Sequence, residues 1–194
     1  MEIKKKFNKD NLYFTSDSHF HHKNIVEYCN RPWGDVQTQD SALIALWNSV
    51  VPKDATVFHG GDFIFTGNIE YTRELVDKLN GTIYLTLGNH DYKNSLNREV
   101  FKTIFEDVQD IYYITVEDEE LEYNCMNIQI CHYPLYYWRS GYVHLHGHIH
   151  SGPRSTSNEK LSFHPLRYDI GIDNNDYKPI SYHDLKVILT KRQI

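Results

Sequence analysis

Five short polar segments recur along this chain, and each stands where a predicted β-strand ends. Their side chains are mainly histidine, aspartate and asparagine, which bind divalent metal ions, and three of the segments begin with glycine. Glycine lets the backbone turn sharply and approach an ion closely. Because the strands of one sheet end at shared edges, this pattern favours a fold that gathers the segments at one place. They comprise residues 17–19, 61–62, 88–91, 132 and 147–150.

The first half of the chain alternates between short apolar stretches and amphipathic stretches. Residues 12–16, 55–59 and 82–87 are predicted to form strands, while residues 38–50 and 69–79 carry apolar side chains at helical spacing. This strand–helix–strand alternation favours parallel strands joined by helical crossovers. In such sheets ligands gather at the carboxyl ends of the strands, where the first three polar segments fall.

The second half is predicted to be richer in β-structure, with a solvated acidic hairpin tip at residues 117–122. The complete prediction is an α/β fold of the α+β kind, a two-sheet β-sandwich flanked by helices with a βαβαβ first half. No linker is visible, so residues 1–194 are expected to form one domain. The remaining predicted elements are helices at residues 23–29, 94–105 and 181–191, and strands at residues 111–116, 126–131, 142–146 and 168–172.

Size and charge restrict the class of protein. The 194 residues are 40% hydrophobic and 24% charged, as in an ordinary globular domain. The formal net charge of −6 disfavours nucleic-acid backbones as main partners, because binding them usually needs a basic surface. The longest apolar run, residues 42–47, is far shorter than the ~20 residues of a membrane span. The basic N-terminus lacks an apolar signal segment, so a cytoplasmic location is expected.

The polar segments supply hard and borderline metal ligands. Asp17 and Asp62 are oxygen ligands, and one carboxylate is able to bridge two cations. The set contains no thiolate, which favours Mn²⁺, Fe²⁺ or catalytic Zn²⁺ over structural zinc. His148 and His150 are two residues apart, so both reach one cluster only if the chain turns between two ions or wraps over them. Two such ions ~4 Å apart form a centre that hydrolyses phosphate esters.

One histidine of the set is assigned to proton transfer instead of metal binding. His90 stands between Asn89, a candidate ligand, and Asp91, a candidate orienting carboxylate. A protonated imidazole held by a carboxylate is a good general acid for a departing alkoxide. We therefore predict that His90 donates this proton and that Asp91 orients it.

In this order, the motifs Asp-x-His, Gly-Asp, Gly-Asn-His-Asp, a single His and Gly-His-x-His resemble those of the calcineurin-like metallophosphoesterase superfamily. The resemblance spans residues 13–150. Residues 14–25, 30–32, 131–134 and 171–179 are also similar to a branch of small bacterial and phage phosphoesterases. The family fold that this resemblance implies is a β-sandwich flanked by helices, which agrees with the predicted elements.

The resemblance also implies a dinuclear metal centre, with Mn²⁺ as the first choice and Fe²⁺ or Zn²⁺ as alternatives. It also implies that His90 is the general acid and that Asp91 lies behind the His90 ring. The apolar residues 63–65 follow Asp62, where many relatives carry a charged residue, so protein-phosphatase-like recognition is disfavoured. The implied ligands are Asp17, His19 and His150 for one ion and Asn89, His132 and His148 for the other, with Asp62 as the bridge.

The predicted substrate is a small phosphodiester, such as a nucleotide or a cyclic nucleotide. His22 and Arg31 are candidates for substrate contacts; alternatively, His22 supports His19 and Arg31 is an ordinary surface residue. The aromatic cluster in residues 133–138 either stacks a nucleobase or packs as a loop. No membrane or protein partner is expected.

Three other functions stay open at this point. The metal centre also suits a phosphomonoesterase, including a protein serine/threonine phosphatase. A nuclease is a further alternative that the acidic net charge disfavours. A non-catalytic scaffold is disfavoured, because the full ligand set and the acid histidine are present.

Overall fold

The computed structural model describes residues 7–93, 98–154 and 163–192. The described residues form nine β-strands and six α-helices. Each of these helices falls short of the length and hydrophobicity of a bilayer-crossing segment. The strands are β1 (Leu12–Thr15), β2 (Thr56–His59), β3 (Thr82–Thr86), β4 (Asp107–Gln109), β5 (Ile111–Glu117), β6 (Cys125–Cys131), β7 (Val143–His146), β8 (Arg167–Asp169) and β9 (Ile180–Ser181). The helices are α1 (Ile25–Tyr28), α2 (Val36–Val50), α3 (Ile69–Val76), α4 (Asn89–Lys93), α5 (Arg98–Phe101) and α6 (Tyr182–Arg192).

The first sheet has five strands in the order β4-β3-β2-β1-β9. Strands β1 to β4 are parallel, and β9 is antiparallel to β1. The register places Thr15 of β1 opposite His59 of β2, and His59 opposite Leu85 of β3. The polar segments that follow these three strands therefore emerge side by side.

The second sheet has four strands in the order β5-β6-β7-β8. Strands β5 and β6 form an antiparallel hairpin, whereas β6, β7 and β8 are parallel. A β-bridge joins Ser16, just after β1, to Gly171, just after β8. This bridge brings the carboxyl ends of the parallel strands of both sheets to one end of the molecule.

Two hydrophobic cores hold these layers together. Phe58 of β2 contacts Tyr112 of β5 at a ring-centroid distance of 5.2 Å, in the core between the two sheets. Its neighbour Val57 points to the opposite face, as alternation along a strand requires. There it joins the second core with Trp47 of α2 and Leu75 of α3. The predicted two-sheet β-sandwich flanked by helices is confirmed.

The crossover helices begin where the sequence provides caps. The Asp35 carboxylate accepts a hydrogen bond from the backbone N–H of Thr38 at 2.7 Å at the start of α2. The Asn68 side chain accepts from the N–H of Tyr71 at 3.0 Å at the start of α3. Pro52 follows the end of α2, because proline is unable to continue a helix.

Several predicted boundaries are corrected by the structure. The helix predicted at residues 23–29 shrinks to the four residues of α1. The helix predicted at residues 94–105 is present only as α5, and residues 94–97 lie outside the described residues. The strand predicted at residues 168–172 ends at Asp169. Strands β4 and β9 were not predicted, because three and two residues are too short for a periodic pattern.

The predicted solvated tip at residues 117–122 is wrong at its centre. Asp118 is fully buried. Its carboxylate accepts hydrogen bonds from Lys9 Nζ at 3.0 Å, Lys186 Nζ at 2.8 Å and the Tyr182 hydroxyl at 3.0 Å. Sequence alone places the hairpin, but it does not reveal that α6 and the N-terminal segment close over it.

Candidate metal centre

The loops that follow β1, β2, β3, β6 and β7 converge at one end of the sandwich. The His19 ring lies 5.1 Å from the rings of both His90 and His150, measured between centroids. The rings of His132 and His148 are also 5.1 Å apart. Residues from separate loops thus meet in one cluster, as expected for segments at the carboxyl ends of parallel strands.

Asp62 lies at the middle of this cluster. Its Oδ2 atom is 3.5 Å from Nε2 of His19 and 3.4 Å from Nε2 of His132. Two ligand atoms ~2.1 Å from one ion lie about 3.0–3.4 Å apart at octahedral to tetrahedral angles. The spacing on both sides of the carboxylate therefore approaches that of metal ligands.

Three histidines of the cluster are oriented in the same way. Nδ1 of His19 hydrogen-bonds to Nδ1 of His22 at 3.2 Å, Nδ1 of His132 to the Gly60 carbonyl at 2.9 Å, and Nδ1 of His150 to Asp173 at 2.8 Å. Each Nε2 atom then faces the carboxylates of the cluster. Fixing one ring nitrogen leaves the other ready to bind a metal.

The donor atoms fit cations better than they fit one another. Among the described residues, the buried Nε2 atom of His19 has no hydrogen-bond partner. Nε2 of His132 faces Oδ1 of Asn89 at 3.0 Å, although Nδ1 of His132 already donates to the Gly60 carbonyl in this orientation. Two acceptors at this distance need a proton or a cation between them. The residues present therefore fit divalent metal ions.

Among the described residues, three groups are able to hold an ion: one comprises Cys29, His150 and Asp173, and the other two share Asp17. Of these two, one comprises Asp17, His19 and His150, and the other comprises Asp17, Asp62 and His132. The predicted role of His148 involves its backbone as well, because its N–H donates to the Asp17 carboxylate at 3.0 and 3.1 Å. Asp17 thus belongs to both groups, and the predicted division of the ligands between two ions stays a prediction.

The backbone of these loops is in the left-handed region at several non-glycine positions. Asp17, His19, Asp62, His148 and His150 have φ angles of 59°, 48°, 53°, 74° and 46°. Such conformations cost of order 1–3 kcal/mol each and cluster at functional sites. The positive φ angles at both His148 and His150 confirm the predicted turn in this segment.

Two glycines make room for the carboxylates. A Cβ atom at Gly88 would lie 2.2 Å from Oδ1 of Asp62, and a Cβ atom at Gly147 would lie 2.0 Å from Oδ2 of Asp17. Either contact is far below van der Waals distance. Glycine is therefore needed at these positions because each backbone passes directly against a carboxylate of the cluster.

Arg31 does not have the geometry of the predicted substrate contact. Its guanidinium is buried and forms a two-point ion pair with Asp173 at 2.9 and 3.0 Å. The other donors reach the backbone carbonyls of Asp17 and Ser18 and the side chain of Gln39. With all five donors used inside the protein, we replace the phosphate contact by a positioning role.

Asp173 is the residue of the site that sequence reasoning missed. It accepts from both Arg31 and Nδ1 of His150, so it links the first metal segment to the last. Burial opposes ionisation of Asp173, but the Arg31 charge and the His150 hydrogen bond hold its pKa below the ordinary value. Its only sequence signal was its place within the family-like residues 171–179.

Asp91 also has a different role from the predicted one. Its buried carboxylate accepts hydrogen bonds from the backbone N–H groups of Asp62 at 2.7 Å, Gly88 at 2.8 Å and Phe63 at 3.1 Å. It therefore joins the loops after β2 and β3 and holds Asp62 in place.

His22 combines the two alternatives left open by the sequence. It supports His19 through the hydrogen bond between their Nδ1 atoms, and its ring stacks on Phe65 at 4.3 Å. Burial lowers the pKa of His22 to about 4, so the ring is neutral near pH 7. It also lines the cavity beside the cluster.

This cavity has a volume of about 420 Å³ and opens beside the cluster. Its size suits a small phosphate ester. Its polar wall includes His22, Asp62, Asn89, His90, His148 and His150.

Comparison with known proteins gives one family and several relatives. The family model described as calcineurin-like phosphoesterase matches residues 11–181. An uncharacterized protein of Methanocaldococcus jannaschii is 31% identical over 189 residues, which cover 94% of this chain and 93% of that protein. The gene 66 protein of Mycobacterium phage L5 is 31% identical over 185 residues, covering 84% and 86% of the two chains.

A solved structure from Aquifex aeolicus, a protein of unknown function, has a similar fold. Its TM-score is 0.64 at 22% sequence identity, and the match covers 95% of this chain and 100% of that one. This likeness concerns the architecture alone.

Proposed function

This chain belongs to the calcineurin-like phosphoesterase family, hydrolases that act on phosphoester bonds, and from that premise we propose that it is a dinuclear metal-dependent hydrolase of small phosphodiesters, such as nucleotides or cyclic nucleotides. The observation that carries the proposal is the position of Asp62 Oδ2, within 3.5 Å of Nε2 atoms of both His19 and His132. One carboxylate oxygen placed between two histidines suits a ligand shared by two ions.

In this proposal the ligands divide around Asp62 into two sets, with Mn²⁺ as the first choice of metal. Divalent cations bound here would neutralise phosphate charge and acidify a water molecule. The first set comprises Asp17, His19 and His150, and the second comprises Asn89, His132 and His148.

The remaining chemistry belongs to side chains of this protein. His90 lines the cavity and lies beside His19 and Phe65, so it is placed to protonate the departing oxygen of the ester. Its own backbone N–H donates to Oδ1 of Asp62 at 2.8 Å, which ties the acid to the bridging carboxylate. His22, the Gly60 carbonyl and Asp173 keep the ligand histidines oriented.

A diester is favoured over a monoester by the charge of the cavity wall. Among the described residues that line it, none is an arginine or a lysine. A phosphate monoester carries more negative charge than a diester near neutral pH, so it gains more from a cationic side chain. Arg31, the arginine that the sequence suggested as a phosphate contact, is already paired with Asp173.

The test is hydrolysis of bis-p-nitrophenyl phosphate by the purified full chain with Mn²⁺. We expect activity that disappears with a strong chelator and returns with Mn²⁺. The His90→Gln variant should bind Mn²⁺ like wild type while its activity falls, because a proton donor contributes about 10²–10⁴-fold. Activity that survives metal removal would defeat the proposal.

Monoester hydrolysis is the second candidate, because the same metal centre permits it. A side-by-side comparison of kcat/KM for p-nitrophenyl phosphate and its bis-ester decides between them. A strong preference for the monoester would reverse our ranking without touching the metal assignment.

A further inference from the structure

A second cavity, of about 490 Å³, lies outside the metal centre. It is formed between the loop after β6 and the segment that leads into β8. Its wall carries aromatic rings that are unusually open to solvent: Tyr136 is 78% exposed, Tyr137 84% and Phe163 71%. Exposed apolar groups concentrated in one place mark binding surfaces more often than scattered ones do.

One loop connects the wall of this cavity to the metal centre. His132, a proposed ligand, begins the loop, and the next ring, Tyr133, lies 4.8 Å from the His148 ring. Tyr136 follows His132 by four residues, so their Cα atoms are at most about 14 Å apart. A substrate with its phosphate at the metal centre therefore needs to extend only a short distance to reach the cavity.

The loop backbone is held in place although its rings are exposed. The N–H of Leu135 donates to Nε2 of His144 at 3.0 Å, and the Trp138 indole donates to the Tyr142 carbonyl at 2.8 Å. The N–H of Arg139 donates to the Gln129 side chain at 3.2 Å. A platform fixed in this way loses little conformational freedom when a ligand binds.

The chemistry of the wall combines flat rings with a cation. The rings of Tyr136 and Tyr137 meet at 88°, with 4.6 Å between centroids. The Arg139 guanidinium lies over the Tyr142 ring at 4.7 Å. Aromatic rings beside an arginine form the usual platform for a nucleobase, because its flat face stacks on a ring or on the guanidinium plane.

We propose that Tyr136 and Tyr137 hold the nucleobase of a nucleotide diester whose phosphate lies at the metal centre, one ring stacking on the face of the base and the other contacting its edge. This inference rests on the proposed diesterase function and specifies its substrate class. It also resolves the alternatives left open for the aromatic cluster: Trp138 packs on His144, with 5.3 Å between centroids, whereas the two tyrosines face solvent.

The test compares two diesters with the same leaving group, the p-nitrophenyl ester of thymidine 5′-phosphate and methyl p-nitrophenyl phosphate. The double variant Tyr136→Ala/Tyr137→Ala should raise KM for the thymidine ester by about 5- to 100-fold, the range that loss of base stacking gives. KM for the methyl ester should stay unchanged. An equal change for both esters, or none, would overturn the proposal.

Tyr123→Ala provides the matched control. Tyr123 is 80% exposed, but it lies in the loop that joins β5 to β6 and does not line the cavity. It should leave both KM values unchanged.

A second measurement separates this proposal from the proposed function: calorimetric titration with thymidine 5′-monophosphate. If wild type hydrolyses neither ester, the diesterase assignment fails. Weaker binding of thymidine 5′-monophosphate to the double variant than to wild type would still support the nucleobase site. Equal binding to both would contradict it.

Discussion

Buried carboxylates at two places in the sandwich differ in how their negative charge is balanced. Asp118 is fully buried, and two lysine ammonium groups neutralise its charge. Asp17 and Asp62 are equally buried, yet within the described residues neither forms an ion pair with a lysine or an arginine. Their ion-pair partners are instead the rings of His19, His132 and His150, which are the proposed metal ligands, and a buried carboxylate without a full counter-charge is unfavourable. The comparison indicates that the second cluster is completed by cations from outside the chain.

The first and largest expected effect contrasts the two clusters directly. Asp62→Asn should reduce Mn²⁺-dependent diesterase activity by at least about 10³-fold, because it removes the carboxylate proposed to serve both ions. The metal-free variant should unfold at nearly the same temperature as wild type, because relief of the repulsion with Asp17 offsets the lost attraction to His132. Calorimetry and initial rates measure both quantities. A variant that is active, or strongly destabilised without metal, would remove the contrast.

The same substitution at Asp118 should have the opposite outcome. Asp118→Asn should lower the free energy of unfolding by about 3 kcal/mol, because Lys9 and Lys186 lose a buried partner. Its kcat should stay near that of wild type. Urea denaturation measures the first quantity, with Glu119→Gln as control. Glu119 also pairs with Lys9 but is 78% exposed, so its change should stay within about 0.5 kcal/mol.

A smaller effect is expected at Asp173, because its charge is already balanced by Arg31. Asp173→Asn should weaken Mn²⁺ binding by about 10- to 100-fold, the usual loss when the partner of a ligand histidine changes. Titration calorimetry measures this affinity. Asp176→Asn, a neighbouring exposed carboxylate, is the control and should bind Mn²⁺ normally. Wild-type affinity in the Asp173 variant would show that Asp173 does not position His150.

The smallest effect concerns pH. Burial raises the pKa of Asp118, but the hydrogen bonds from Lys186 and Lys9 outweigh burial and hold its pKa below the ordinary value. Its stabilising contribution is therefore complete above the unfolded-state pKa of about 3.9 and is lost as pH falls through the lower folded-state value. The difference in the free energy of unfolding between wild type and Asp118→Asn should be smaller at about pH 3 than at about pH 5. These two values lie on either side of the unfolded-state pKa. Urea denaturation at both pH values tests this sign, and a constant difference would contradict it.

The sequence was sufficient to predict which residues gather at the site, because local patterns determine strand ends. Asp17, Asp62 and Asn89 each follow a short apolar run, and register along parallel strands brings such positions together. The turn at His148 and His150 also followed from a spacing of two. The fold and the cluster were therefore predictable from the sequence.

The supporting contacts were not predictable in the same way. Arg31 and Asp173 are 142 positions apart, and they meet because the segment after β8 returns to the end of β1. The Asp91 carboxylate turns toward the loop after β2, a direction that sequence spacing does not encode. Asp118 looked solvated because its lysine partners are distant in the chain. Long-range partners of single polar groups leave no periodic signal.

The central claim is that one carboxylate joins two metal ions, and anomalous diffraction from Mn²⁺-soaked crystals tests it most directly. We predict two anomalous peaks about 3.5–4 Å apart, one on each side of the Asp62 carboxylate, between the Nε2 atoms of His19 and His132. A single peak, or manganese bound only elsewhere on the chain, would contradict the account.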